Sequence, residues 1–557
     1  MDRHQFEQLL KRRASRRLAL RTGALGLTAA TFGLSLPGRP TRSWALQATP
    51  SGSPGASPVA SEAPLTSRAS ASFGAYPFQL GVASGDPYEN GVVLWTRLAP
   101  APNDGGGMDE IPYDVRWEVA RDEGFSSIVQ AGRAVADPNL AHSVHVDVTG
   151  LESGTEYFFR FMAGDEVSQI GRTKTSPALG QQVDAIRFGE ASCTNYEHGY
   201  FIAYRDMAAQ RFDFVTHLGD YIYEYEADEY LVRDETNLRQ VTGDETNNLV
   251  EYRNRYALYH TDPDLQAVRA SAPLIATWDD HEIENNWAAL ISENEDPVEE
   301  FRARRADAFQ AYYEHMPLRP SSFPVGGNMT LYRRLGYGDL LEINVLDTRQ
   351  YRTDHPSGDG RYPRTPGSMD PYATITGLDQ ERWLIQNLSN SSATWNVLAQ
   401  QVIMAEGYFP DDNSDLALYV NDWWSGYPQG RQRILNHFKD AGISNPVVLT
   451  GDVHSSFANN LLLDFTDPSS EVIGSEFVCT SISAGGTKPS EWPAIIDQLD
   501  WVKFADGRHG GYTANEVTAD LWKADYVLVD NMEDANSGVS HLATFVTENG
   551  NPGVQQG

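Results

Sequence analysis

Cysteine and positive charge are both scarce in this chain of 557 residues. Two cysteines, Cys193 and Cys479, exclude a disulfide scaffold. The 43 Lys and Arg stand against 76 Asp and Glu, a net charge of −33. A chain so acidic has no sequence-independent grip on a phosphate backbone, and no stable nucleic-acid binding is expected. A small anionic substrate must be drawn by a local positive centre, such as a bound metal. Long apolar runs are lacking too. Residues 22–36 are mildly apolar, rich in Gly and Ala, and too short for a mature transmembrane segment. What remains is 41% apolar and 11% aromatic, a folded globular composition long enough for two or three domains.

Positive charge is concentrated at the N-terminus. Residues 1–45 hold nine Lys/Arg and two Asp/Glu. Ser15-Arg16-Arg17-Leu18-Ala19-Leu20-Arg21 looks like a twin-arginine export signal, although Ala19 stands where an aromatic residue often follows the arginine pair. Ser43 and Ala45 suit signal-peptidase cleavage. Residues 1–45 are therefore expected to be a leader engaging the twin-arginine machinery. That route exports folded, cofactor-loaded proteins, here to the periplasm, wall or medium. Residues 46–73, mostly Ser, Pro, Ala and Gly, read as a flexible linker.

From 74 to 178 the chain is strand-like. Val92-Val93-Leu94-Trp95, residues 114–119 and residues 144–148 are short β-branched or alternating runs broken by Gly, Pro and Asp. Residues 151–161 are similar to the late strands of an immunoglobulin or fibronectin III sandwich, with Tyr157 as the corner tyrosine. An all-β domain without a titratable cluster is expected here.

After Asp184 strands alternate with longer helical patterns, an α/β rhythm that continues as one catalytic unit over 183–557. Five strand ends bear chemical groups, and the carboxyl edge of such sheets is where ligands bind. Residues 186–192 lead to Cys193, either a buried structural thiol or a thiolate ligand. Residues 212–218 deliver Gly219-Asp220-Tyr221-Ile222-Tyr223, in which Asp220 can bridge two cations and Tyr223 as phenolate suits ferric iron. Residues 275–278 run into Asp279-Asp280-His281-Glu282, followed by Asn285. Residues 340–346 end in Asp347-Thr348-Arg349-Gln350-Tyr351-Arg352, where Asp347 and Arg349 form an ion pair, or Arg349 and Arg352 reach a phosphate oxygen. Residues 446–450 precede Gly451-Asp452-Val453-His454.

These blocks resemble the calcineurin-like metallophosphoesterase superfamily and, within it, the PhoD-type alkaline phosphatase and phosphodiesterase family. The superfamily's Gly-Asn-His-Glu and Gly-His-x-His blocks stand here as Asp279-Asp280-His281-Glu282 and Gly451-Asp452-Val453-His454, and both Asp substitutions are PhoD-like. The resemblance implies a four-layer metallophosphoesterase β-sandwich flanked by helices and preceded by the immunoglobulin/fibronectin III-like domain. It implies ferric iron on Cys193, Asp220, Tyr223 and His454, and calcium on Asp220, Asp279, Asp280 and Asp452. Ligand chemistry agrees, since thiolate and phenolate favour Fe(III) and an all-oxygen set favours Ca²⁺. The implied reaction is hydrolysis of a small phosphate mono- or diester by metal-activated water. His281 would protonate the leaving oxygen and Arg349 would offset equatorial charge, with Arg352 and Asn285 on the substrate. A phospholipase D-like phosphodiesterase and a non-catalytic exported binding protein are the alternatives. A monomer is expected. Residues 507–512 would close over the site or form a surface loop.

Overall fold

A computed structural model describes residues 73–232, 236–410, 416–485 and 498–557. The expected leader, and all of the linker but its last residue, lie outside the described residues. Among those described, no helix is long and apolar enough to cross a membrane.

The catalytic strands are apolar on both faces, and the structure gives each face a different partner. Phe188, Phe214 and Ile275 point to one apolar cluster, while their neighbours Val215, Leu274 and Ala276 point to another. Ile343, Val397, Val447 and Phe477 meet the first cluster from the opposite side, and Leu398, Val448 and Val478 turn away from it. This period of two, buried on both sides, gives two sheets packed face to face with helices outside each.

The ten-stranded sheet has at its centre the parallel strands Ala185–Ala191, Phe214–His217 and Pro273–Ala276, with Phe214 opposite Phe188 and Val215 opposite Leu274. Helices Ile202–Ala209, Leu249–His260, Pro263–Ser271 and Val298–His315 cover its outer face. Two of them start where the sequence caps them. Asn248 accepts from the Val250 and Glu251 amides, and Asp262 caps a helix whose first residue is Pro263. The seven-stranded sheet contains the parallel run Leu341–Val345, Trp395–Ala399, Pro446–Thr450 and Val472–Val478. Helices Leu378–Asn390 and Pro428–Asp440 cover it. Thr277 Oγ1 donates to the Leu346 carbonyl (2.9 Å) and Gln401 Nε2 to Thr277 Oγ1 (2.8 Å), so the two sheets are fastened where their strands end.

The strands expected over 74–178 form, but they divide between two sheets. Val82–Tyr88, Gly91–Arg97 and Ser143–Thr149 extend the ten-stranded sheet, with Ser84 opposite Pro273. Tyr113–Ala120, Ile128–Ala136, Glu156–Ala163 and Gly171–Lys174 belong to a separate sheet packed over them through Val115, Val119, Phe159 and Phe161. Tyr157 OH accepts from the Glu152 amide at 3.0 Å. Residues 507–510 are the loop that connects the strand Val502–Asp506 to the next strand, and the Thr480 hydroxyl donates to the His509 carbonyl. Gly511 begins the strand Gly511–Thr518, antiparallel to Ala185–Ala191, and its amide donates to the Ser481 carbonyl.

Candidate metal centre

Three of the five strand ends turn through left-handed backbone. Cys193, Asp220, Asp452 and His454 all have φ between 53° and 65°, the left-handed region that non-glycine residues occupy at a cost and that clusters at functional sites. Gly219 goes further, with φ of 112°, and a Cβ there would stand 2.4 Å from that of Asp279. Glycine at 219 is what lets the Asp220 and Asp279 turns touch. Glu282 binds the two turns together, accepting from the Tyr221 amide at 2.6 Å and the Asp279 amide at 2.8 Å.

The ligand atoms gather into three overlapping groups, each within 4.8 Å: Cys193, Asp220 and His454; Asp220, Asp280 and His281; Asp279, Asp280 and Asp452. Asp220 Oδ1, Asp279 Oδ2 and Asp280 Oδ1 are buried without a hydrogen-bond partner. Tyr223 OH lies 3.0 Å from Asp220 Oδ2 and 2.8 Å from His454 Nε2. His454 Nδ1 donates to the Gly485 carbonyl at 2.9 Å, which leaves the lone pair on Nε2. One phenolic proton thus faces two acceptors.

Electrostatics point the same way. Burial pushes Asp220, Asp452, Cys193 and Tyr223 well above their ordinary ranges, and neighbouring acids push them further. Asp279 rises to about 7 for the same first reason, against the pull of Arg349. Burial lowers His454 to about 4, keeping it neutral and able to ligate. Asp280 is held low, since Arg349 and His281 together outweigh its burial. So dense a buried set of acids, thiol and phenol suits cations on its orphaned oxygens.

His281 has a separate support. Its Nδ1 is 2.7 Å from Glu224 Oε2, and its ring lies 4.2 Å from that of Tyr223. Burial would lower its pKa, but the carboxylates of Glu224, Asp280 and Asp220 raise it well above the usual value.

Arg349 and Arg352 take positions that the sequence reading did not anticipate. Arg349 has no exposed side-chain surface, and its Nε donates to Asp279 Oδ1 at 2.5 Å. Its two terminal nitrogens grip Asp422 at 2.7 and 2.9 Å, and Nη2 lies 3.6 Å from Asp280 and 3.9 Å from Asp452. Arg352 is also buried on Asp422. Asp347 pairs with neither guanidinium and caps its own turn through the amides of Arg349 and Gln350. The solvent side of the cluster is elsewhere, at Asp452 and His281, whose side chains are 17% and 10% exposed. The Arg349 donors serve Asp279 and Asp422, while Arg352 donates to the carboxylate and the backbone carbonyl of Asp422. Asn285 is also off the cluster. Its amide donates to Glu224 and its side chain to Glu293.

Glu224, Asp422 and Trp423 were missed. Glu224 directly follows Tyr223, so Gly-Asp-x-x-Tyr-Glu held the signal. Asp422 and Trp423, whose indole donates to Asp452 Oδ2 at 3.0 Å, follow the short strand Ala417–Val420, with no glycine–acid pattern to mark them. Cys193 and Cys479 are both buried and free, so no disulfide competes for the Cys193 sulfur.

The family model for PhoD-like phosphatase matches residues 188–526, and that for the PhoD-like phosphatase N-terminal domain matches 63–177. Alkaline phosphatase D of Bacillus subtilis (strain 168) is 48% identical over 491 residues, 88% of this chain and 84% of that protein. The solved structure of PhoD superposes with a TM-score of 0.85 at 47% identity, covering 87% of this chain and 93% of that one. Two family models along the sequence, a relative near half identity and a shared fold agree, and the chain belongs to the PhoD-like phosphatase family.

Proposed function

We propose that this phosphatase is an exported, metal-dependent hydrolase of small phosphate mono- and diesters. Asp220, with ligand atoms in two of the three groups, is the single observation on which the reading rests. Cys193, Asp220, Tyr223 and His454 would hold Fe³⁺, the ion suited to thiolate and phenolate. Asp279, Asp280 and Asp452, with Asp220 at the join, would hold Ca²⁺. Bound there, the ions would supply Lewis acidity toward phosphoryl oxygens and activate water. The leader 1–45, spacer 46–73, immunoglobulin-like module 74–178 and catalytic unit 183–557 belong to the same proposal, as does a monomeric state. They rest on the sequence pattern. Recovery of an extracytoplasmic enzyme starting after residue 45 would support the leader assignment.

The chain's own residues do the rest. Glu224 engages His281 Nδ1, leaving Nε2 as the nitrogen that holds a proton for the leaving oxygen. Arg349 acts behind the cluster, fixing Asp279 and Asp422 in place.

The test is hydrolysis of an aryl phosphodiester and an aryl phosphomonoester at alkaline pH, with and without chelator, with the visible spectrum of the same sample. Chelation is expected to abolish turnover and to bleach a tyrosinate-to-iron band. Turnover that survives removal of all metal would sink the reading. The role of His281 has its own test. His281→Ala is expected to slow an alkyl diester, whose leaving group needs a proton, by about 10²–10⁴-fold and an aryl ester much less. Equal losses on both would assign His281 to the metal centre.

Membership of the family sets aside the non-catalytic reading. The phospholipase D-like reading keeps one supporting observation, the exposed Tyr362, Met369, Tyr372 and Leu416. Faster turnover of phosphatidylcholine in mixed micelles than of a soluble aryl diester would favour it.

A further inference from the structure

His198 lies outside the metal cluster, yet it grips the peptide that holds a metal ligand. The Gly485 amide donates to His198 Nδ1 at 3.0 Å, and the Gly485 carbonyl accepts from His454 Nδ1 at 2.9 Å. An amide can only donate, so His198 Nδ1 carries the lone pair and its proton sits on Nε2. That nitrogen lies 2.8 Å from the Tyr230 carbonyl, which can only accept. Gly485 is thereby held from both sides, its N–H on His198 and its C=O on His454 Nδ1, and the His454 Nε2 lone pair is left facing Tyr223 and the cluster.

The peptide is confined on its other sides. A Cβ at Gly485 would stand 2.4 Å from Val232 Cγ1, so the 232 segment presses directly on the glycine. Ala484, the residue before it, packs with Cys193 and Tyr223. The Ala484 amide donates to the Cys193 carbonyl, and Ser483 Oγ to the Asn195 carbonyl. The segment after the strand Val472–Val478 therefore wraps the sulfur–imidazole side of the cluster, and His198 hydrogen-bonds it to the loop around Tyr230.

We propose that His198 is a positioning residue for the Cys193–Asp220–His454 group, acting by fixing the backbone of Gly485, whose carbonyl holds His454 with its Nε2 lone pair turned inward. The inference rests on the reading that this group binds an ion. Outer hydrogen bonds of this kind fix the tautomer and ring orientation of ligating imidazoles. His454, the ligand that Gly485 holds, belongs to the Cys193 group and not to the Asp279–Asp280–Asp452 group, so the effect is selective for one ion.

The experiment uses the purified holoenzyme and follows each metal separately during dialysis against a graded chelator. His198→Ala is expected to release the ion of the Cys193 group at about 10- to 100-fold lower chelator, to shift its visible absorption band, and to leave the second ion's release unchanged. His198→Asn is the second variant. Its Oδ1 can stand in for Nδ1 as acceptor from Gly485, and it is expected to restore wild-type retention and the wild-type band. Wild-type retention in His198→Ala would overturn the inference, as would an asparagine variant no better than alanine. A wild-type protein with no ion in this group would instead overturn the functional reading beneath it.

Discussion

Asp220→Asn is expected to cost the enzyme both ions and to lower turnover by at least about three orders of magnitude, the scale seen when one member of a catalytic unit is removed. Asp220 offers ligand atoms to the Cys193–His454 group and to the Asp280–His281 group, so one substitution reaches both. The stability change should have opposite signs in the two metal states. In the loaded enzyme the substitution destabilises by removing a ligand. In chelator-stripped protein it should stabilise by about 1–3 kcal/mol, because a buried oxygen without a partner among like charges becomes a neutral amide. Asparagine can still accept the Tyr223 hydroxyl that Asp220 Oδ2 accepts now, so the change is mainly one of charge. Metal content, turnover and denaturant midpoints with and without chelator decide it. Full metal occupancy with turnover within tenfold of wild type would refute the shared role of Asp220.

The strand-end chemistry was legible because it obeys one local rule. An apolar run buried on both faces, followed by glycine and an acid, announces a sheet edge, and Gly219-Asp220 and Gly451-Asp452 both follow it. The left-handed backbone at Cys193, Asp220, Asp452 and His454 was not legible, since Asp and His tolerate that conformation but do not require it. Tertiary packing imposes that conformation, and here it aims Cys193, Asp220 and His454 at one group and Asp452 at another. Asp422 was hidden for another reason. It arrives from the irregular segment after Ala417–Val420, and its importance depends on two arginines some 70 positions earlier in the chain. The strands of 74–178 were found, but their division between two sheets was not, because the pairing of Ser84 with Pro273 joins residues far apart in sequence. Sequence periodicity gives faces, and partners across long separations lie beyond it.

Arg349 makes the same point in energetic form, and its removal is the second large effect. Reading a charge beside a phosphatase motif as a phosphate ligand is natural, yet the guanidinium is wholly buried among Asp279, Asp280, Asp422 and Asp452. Arg349→Ala would leave these carboxylates facing one another without their cation, and breaking a buried pair in this way costs about 3–5 kcal/mol. The expected result is a lowered unfolding midpoint together with weakened binding at the Asp279 group. Arg349→Lys should recover only part of the loss, since one ammonium cannot reach Asp279 and grip Asp422 bidentately at once. Pairing Arg349→Met with Asp422→Asn should recover more stability than Arg349→Met alone, because the substitution removes one of the stranded charges. A residue that met only the transition state would behave differently, with wild-type stability, intact metal content and a fall confined to kcat. Denaturant titration of the variants beside their kinetics separates the two. A stable, fully loaded Arg349→Ala with lost turnover would return the guanidinium to the substrate.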